Sequence, residues 1–142
     1  MGRIVVGIDS SADSARALRW SLEEAVLRSS EVELVHAYPT PEIVAFPGMV
    51  TMPTDDELRR GAEEIVDKAL AEVGGPGQVP VRRTVRAGGS AQVLCEVAEG
   101  AELLVVGARG LGGFRGLLLG SVSQQVVAHA PCPVLITVRE RH

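Results

Sequence analysis

The chain has 142 residues, 46% of them hydrophobic, carries a formal charge of −4 and contains two cysteines. A chain of this length closes one core and buries roughly 68–70% of its unfolded surface, so one domain over residues 1–142 is expected. The negative charge argues against general affinity for nucleic acid, and Cys95 and Cys132, without a C-x-x-C pair or a histidine at metal spacing, indicate neither a disulfide scaffold nor zinc; both read as small buried apolar residues.

Arg3-Ile-Val-Val-Gly-Ile-Asp9 is a short apolar run ending in a charge, which suits a buried strand followed by a helix start. The early charge also excludes a secretory or membrane-spanning N-terminus, so a cytoplasmic protein is expected. Ser11 or Asp13 can cap the helix that follows, and Ala15, Leu18, Leu22, Ala25 and Val26 recur at three- and four-residue steps, giving one apolar face through about Arg28. Glu31 to Ala37 returns to strand character. The stretch 38–54 holds Pro39, Pro41, Pro47 and Pro53, too broken for regular structure yet rich in apolar residues, and reads as a loop packed over the domain or a partner, with a lid as the alternative.

Asp55 to Val73 is an amphipathic helix with acids in its first turn and Gly74-Gly75-Pro76 at its end. Val79 to Arg86 alternates as a half-exposed edge strand, with Arg82, Arg83 and Arg86 on its wet face. Ser90 is expected to cap a short helix that Gly100 ends. Leu103 to Val106 is wholly apolar and reads as a central strand. The last strand, Val134 to Val138, follows Ala130-Pro131-Cys132-Pro133.

Between these last strands lies Gly107-Ala-Arg-Gly110, then nine residues, then Gly120-Ser121 at the start of a helix. Strand, glycine-rich loop and helix in that order make an anion site, because backbone amides and the positive helix end converge there. Gly107 is expected to let the strand turn with positive φ. The loop lacks the lysine of the Walker pattern, and Arg109 is the cation best placed to reach an oxygen. The other reading of these glycines is a flexible connection.

Five strands alternating with four helices imply an open parallel sheet with helices on both faces. With the first and fourth strands as central neighbours the order is 3-2-1-4-5, and ligands in such sheets sit where the winding reverses. Asp9 ends one of those two strands and Gly107 the other. The glycine loop and the winding reversal thus fall in one crevice, which favours the anion site over the flexible connection.

Val5-Val6-Gly7-Ile8-Asp9-Ser10-Ser11, the string G-x2-G-x9-G-S from Gly107 to Ser121 with Val122-Ser123, and Cys132-Pro133-Val134-Leu135 together resemble a universal stress protein of the ATP-binding class. The likeness spans nearly the whole chain, and each motif occurs once, as in the single-domain form. It implies a Rossmann-like nucleotide site in which Asp9 lies near the ribose and the metal–phosphate region of Mg2+-ATP. Gly107, Arg109, Gly110, Gly120, Ser121, Val122 and Ser123 would wrap the triphosphate. Ala37 and Val106 would flank adenine, with Ile8 and Ser10 on the same wall. It also implies a homodimer joined through Val134–Val138, and an uncharged edge strand does invite pairing.

Residue by residue, Asp9 can cap the first helix or ligate ribose and metal, and Ser121 can cap its helix and meet phosphate at once. His36 and His129 read as structural, His142 as part of a charged tail, and Trp20 as packing. Hydrolysis needs a positioned water and a group to orient it, and Asp9 is the only acid expected in the crevice. The expected function is therefore an ATP-binding stress-response sensor or regulator, with slow hydrolysis at most. The alternatives are an adenylating or pyrophosphate-releasing enzyme, or an interaction module without nucleotide; against the enzyme, Asp9-Ser-Ser-Ala-Asp-Ser14 lacks the glycines of an S-G-G-x-D-S loop.

Overall fold

In the computed structural model the described residues are 1–40, 44–46, 49–51, 53–110 and 119–139, those of 44–46 and 49–51 by backbone alone. In chain order the elements are β1 (Arg3–Gly7), α1 (Ala12–Arg28), β2 (Glu31–Tyr38), β3 (Val44–Phe46), β4 (Met49–Thr51), α2 (Asp55–Glu72), β5 (Val81–Ala87), α3 (Ser90–Val97), β6 (Leu103–Gly107), α4 (Ser121–His129) and β7 (Val134–Thr137). Five strands form a parallel sheet in the order β5-β2-β1-β6-β7, which is 3-2-1-4-5 counted along the sheet's own strands, as the sequence pattern implies.

Strand alternation divides the core. Ile4, Val6 and Ile8 of the first strand segment join Leu34, Tyr38, Leu103 and Val105 under α1 and α2. Val5, Val35, Leu104 and Val106 point the other way, under α3 and α4. Both faces are thus covered, which is why β1 and β6 read as continuous apolar runs.

A half-buried charge network fixes α3 over the sheet. Arg3 Nη1 donates to Glu33 Oε1 at 2.8 Å and to the Val97 carbonyl at 2.8 Å, and Arg3 Nη2 donates to the Glu99 carbonyl at 2.8 Å. Thr84 Oγ1 donates to the second Glu33 oxygen. Glu33 is buried, and this set of donors satisfies a carboxylate that would otherwise be costly to desolvate.

The buried stripe of α1 differs from the expected one. Ser14, Ala17, Leu18, Ser21 and Ala25 are buried, whereas Val26 is 65% exposed. Small side chains at 14, 17 and 21 let the helix lie close to the sheet, and Ser21 keeps its hydroxyl satisfied by donating to the Ala17 carbonyl at 2.8 Å. Ser11, not Asp13, is the N-cap, accepting from the Ser14 amide at 3.0 Å. For α3 and α4 the N-caps are Gly89 and Gly120, neither with a side-chain cap bond, so Ser90 and Ser121 each stand one residue inside the helix and not on the cap.

The stretch 38–54 carries more order than its prolines imply. β3 and β4 pair antiparallel, Val44 with Thr51, Ala45 with Val50 and Phe46 with Met49, because the prolines flank these β-favouring triplets and do not interrupt them. Whether the side chains of 41–52 pack over the domain lies outside the described residues, as do Arg115 and His142. Arg82, Arg83 and Arg86 are exposed on β5 as expected, and Arg83 pairs with Asp67 at 2.6 Å. Trp20 packs against the core. Cys95 and Cys132 are half-buried, less enclosed than expected because each sits at the rim of its core cluster, and burial pushes both thiols above their ordinary pKa. Among the described residues no helix is long and apolar enough to cross a membrane.

Leu18 is fully buried between α1 and the sheet. Leu18→Ala should lower the unfolding free energy by about 2–5 kcal/mol, measured by urea denaturation.

Candidate functional site

The carboxyl ends of β1, β2 and β6 open into a cleft of about 190 Å³, lined by Ile8, Asp9, Ala37, Val106, Gly107, Arg109, Gly110, Gly120, Ser121, Val122 and Ser123. These are eleven of the twelve residues that the sequence and the resemblance nominate. Ser10 is the exception: it is exposed, outside the lining, and holds φ at 70°. Gly7, Ser11, Ser14, Val35, Ser90 and Leu94 also line the cleft. Of these, Val35 was detectable as the residue sharing a strand face with Ala37, two positions on. Leu94 lies on the apolar stripe of α3, and nothing in the sequence sets Ser90 apart from a cap.

One end of the cleft is apolar. Val35, Ala37, Leu94 and Val106 form a slot over the sheet. The other end is built from backbone. Gly120 N donates to the Ala108 carbonyl at 2.7 Å, and buried Ser123 Oγ donates to the same carbonyl at 2.8 Å, so the loop is pinned shut at its base. Ala108 N is taken by the Thr137 carbonyl at 3.0 Å and Arg109 N by Asp13 Oδ2 at 3.0 Å. The Ser123 hydroxyl and the Gly120 and Arg109 amides are therefore committed within the protein.

Gly110 and the first turn of α4, Ser121 to Ser123, have backbone amides with no protein acceptor among the described residues. Unpaired amides at an uncapped helix start are donors that an anion can satisfy. The α4 first turn contains no acid, unlike that of α2 with Asp55, Asp56 and Glu57, and so keeps its positive end potential.

Gly107, expected to turn with positive φ, and Gly110 serve close approach instead. Among the described residues the glycines with positive φ are Gly74, Gly75, Gly77, Gly88 and Gly100, none of them in the loop. A Cβ on Gly107 would stand 2.7 Å from Asp13 Cβ, and one on Gly110 2.5 Å from Asp9 Oδ2. Asp9 turns its Oδ1 to the Ser11 amide at 2.9 Å and to the Ser11 hydroxyl, which leaves Oδ2 directed at the loop. His36 faces away: its Nδ1 lies 2.6 Å from the Ile8 carbonyl and donates to it, and it is absent from the lining. His129 ends α4 on the surface.

This combination of a doubly wound sheet, an apolar slot and an amide cradle at the winding reversal is that of an α/β protein with a small-molecule cleft. The universal stress protein family model matches residues 1–139, and the chain belongs to that family. It is 34% identical over 138 residues to a universal stress protein of Mycolicibacterium smegmatis, matching 94% of this chain but 47% of that protein, so the chain spans about half the length of this relative. A universal stress protein of Thermus aquaticus is 35% identical over 139 residues, covering 94% of this chain and 96% of the relative. Three solved structures share the fold: a universal stress protein in complex with cAMP (TM-score 0.74, 24% identity, 96% of each chain), one from Archaeoglobus fulgidus in complex with dAMP (0.69, 22%, 96% of this chain and 97% of that one) and one from Arabidopsis thaliana with AMP bound (0.59, 22%, 99% of this chain and 93% of that one).

The backbone of Ser10 lies in the left-handed region that costs a residue with a Cβ about 1–2 kcal/mol. Ser10→Gly relieves that strain against a smaller gain in unfolded-chain entropy, so it should raise stability by about 0.5–1 kcal/mol in urea or thermal unfolding.

Proposed function

We propose that this chain, as one domain, holds an adenine nucleotide in the cleft, as ATP with Mg2+, and acts in a cytoplasmic stress response through occupancy and not turnover. The observation that carries the reading is the pairing, in one cleft, of an apolar slot with amides that have no acceptor among the described residues. The solved relatives with cAMP, dAMP and AMP support an adenine nucleotide as the ligand class.

In this reading the base lies between Ala37, Val106 and Leu94, with Ile8 behind it, and the ribose lies beside Asp9. The phosphates meet the amides of Gly110, Ser121, Val122 and Ser123, with the Arg109 guanidinium and the Ser121 hydroxyl at hand. Asp9 Oδ2 fits a magnesium ion, since that ion takes one or two carboxylates alongside phosphate oxygens and water. Bound there, Mg2+ would neutralise phosphate charge. Among the described residues no group of three or more His, Cys, Asp or Glu forms a metal cage, so the ion would come with the nucleotide.

Slow hydrolysis follows from the same geometry. His36 is committed to the Ile8 carbonyl, and of the two Asp9 oxygens one is committed to Ser11 and the other would hold the metal, so neither residue is left to orient a water. With ATP-Mg at 100 times its dissociation constant the protein should gain about 2.7 kcal/mol, a rise in Tm on the order of 5–10 °C. Gly110→Asp, which places a carboxylate against Asp9 and in the phosphate path, should abolish the rise while leaving a cooperative transition. A full rise in the variant would contradict the loop assignment.

The homodimer belongs to the same proposal. β7 is the sheet edge beyond β6, Leu135 and Ile136 are half-buried, and Val138 just past its end is 56% exposed. A second β7 pairing there would cover them. Sedimentation should give a dimer for the natural chain and a monomer for Val138→Lys, because a lysine on an edge opposes pairing.

A further inference from the structure

Asp13 is outside the cleft lining, and its carboxylate is not used for capping, because Ser11 fills that role. It turns instead to the glycine loop. Oδ2 accepts the Arg109 amide at 3.0 Å across 96 residues of sequence, and Oδ1 pairs with Arg16 Nη1 at 2.7 Å. The Asp13 backbone and Cβ abut Gly107 so closely that no side chain fits between them. The first turn of α1 therefore grips the loop at two points, one steric and one a charge-assisted hydrogen bond.

We infer that Asp13 is a positioning residue for the anion cradle, holding the Gly107–Gly110 segment so that the Gly110 amide and the Arg109 side chain meet a phosphate group. This deepens the nucleotide reading and rests on it. A carboxylate beside a phosphate site repels the ligand, and Arg16 offsets that charge, leaving the hydrogen bond as the part that matters for binding. Asp13 and Arg16 thus act as a unit: the acid sets geometry and the cation cancels its field. The arrangement is local to α1 and the loop, so it bears on phosphates and not on the apolar slot that takes the base.

The test compares Asp13→Ala, Asp13→Asn and Arg16→Ala in the full chain, reading ATP-Mg and adenosine affinity by calorimetry and Arg109 amide exchange by NMR in nucleotide-free protein. Asn keeps an acceptor for the Arg109 amide, so Asp13→Asn should protect that amide and bind ATP as well as the natural chain or better. Asp13→Ala should expose the amide to faster exchange and weaken ATP about ten-fold, with adenosine unchanged. Arg16→Ala should keep the amide protected and weaken ATP about two- to five-fold, an effect that added salt reduces. ATP affinity in Asp13→Ala equal to or above the natural chain's, or ATP and adenosine weakened together, overturns the inference. Binding of neither ligand by the natural chain is the failure of the nucleotide reading instead. The exchange comparison still decides whether Asp13 holds the loop, and should the alanine variant not fold, an unprotected Arg109 amide in Asp13→Asn or unchanged ATP affinity in Arg16→Ala overturns it.

Discussion

At Gly107 the chain leaves β6 with the first turn of α1 directly against it, and a single methyl group would fill the space that lets the two meet. That contact sets the height of the loop above the sheet. From it follow the Asp13 bond to the Arg109 amide, the closeness of Gly110 to Asp9, and the seating of Gly120 and Ser123 on the Ala108 carbonyl. With those polar groups satisfied internally, the amides of Gly110 and of the first turn of α4 are presented to the cleft as a preset group. A preset donor array binds an anion without ordering cost at the moment of binding, which is where such sites draw their affinity.

The two helices that open onto the cleft without side-chain caps, α3 and α4, lie on the same side of the sheet. Those on the other side, α1 and α2, are capped by Ser11 and Thr54 and carry acids in their first turns. The positive end potentials are therefore screened on one side of the sheet and left open on the other. An anion has reason to settle under α4, beside Val106 and the loop, and not under α2.

Much of this was legible in the sequence because it depends on short-range pattern. Continuous apolar runs mark β1 and β6 as buried on both faces, alternation marks β5 as an edge, and these with chain order settle the sheet. The glycine string and Asp9 mark the cleft, since both end central strands. Other features were not legible, for physical reasons. Ser14 and Ser21 are buried in α1, where a hydrophobic count rejects them, because the closeness of the helix to the sheet favours small residues over apolar ones. The caps of α3 and α4 fell on glycine because a serine one position later could have served equally. Asp13 has the look of a first-turn acid, and only the path of a segment 96 residues away gives it another partner. Ser90 and Leu94 join the cleft through the docking of α3, which Arg3 and Glu33 fix at long range.

In the proposed complex the backbone amides of Gly110 and of residues 121–123 receive the phosphates of an adenine nucleotide. Amide chemical shifts of isotope-labelled protein, followed as ATP-Mg is added and compared with adenosine alone, test it most directly. Phosphate contact at these amides predicts saturable shifts at Gly110, Ser121, Val122 and Ser123 with ATP that adenosine does not produce, while both ligands move Ala37 and Val106. Saturable binding that leaves those four amides in place, or shifts them as much with adenosine as with ATP, would contradict it.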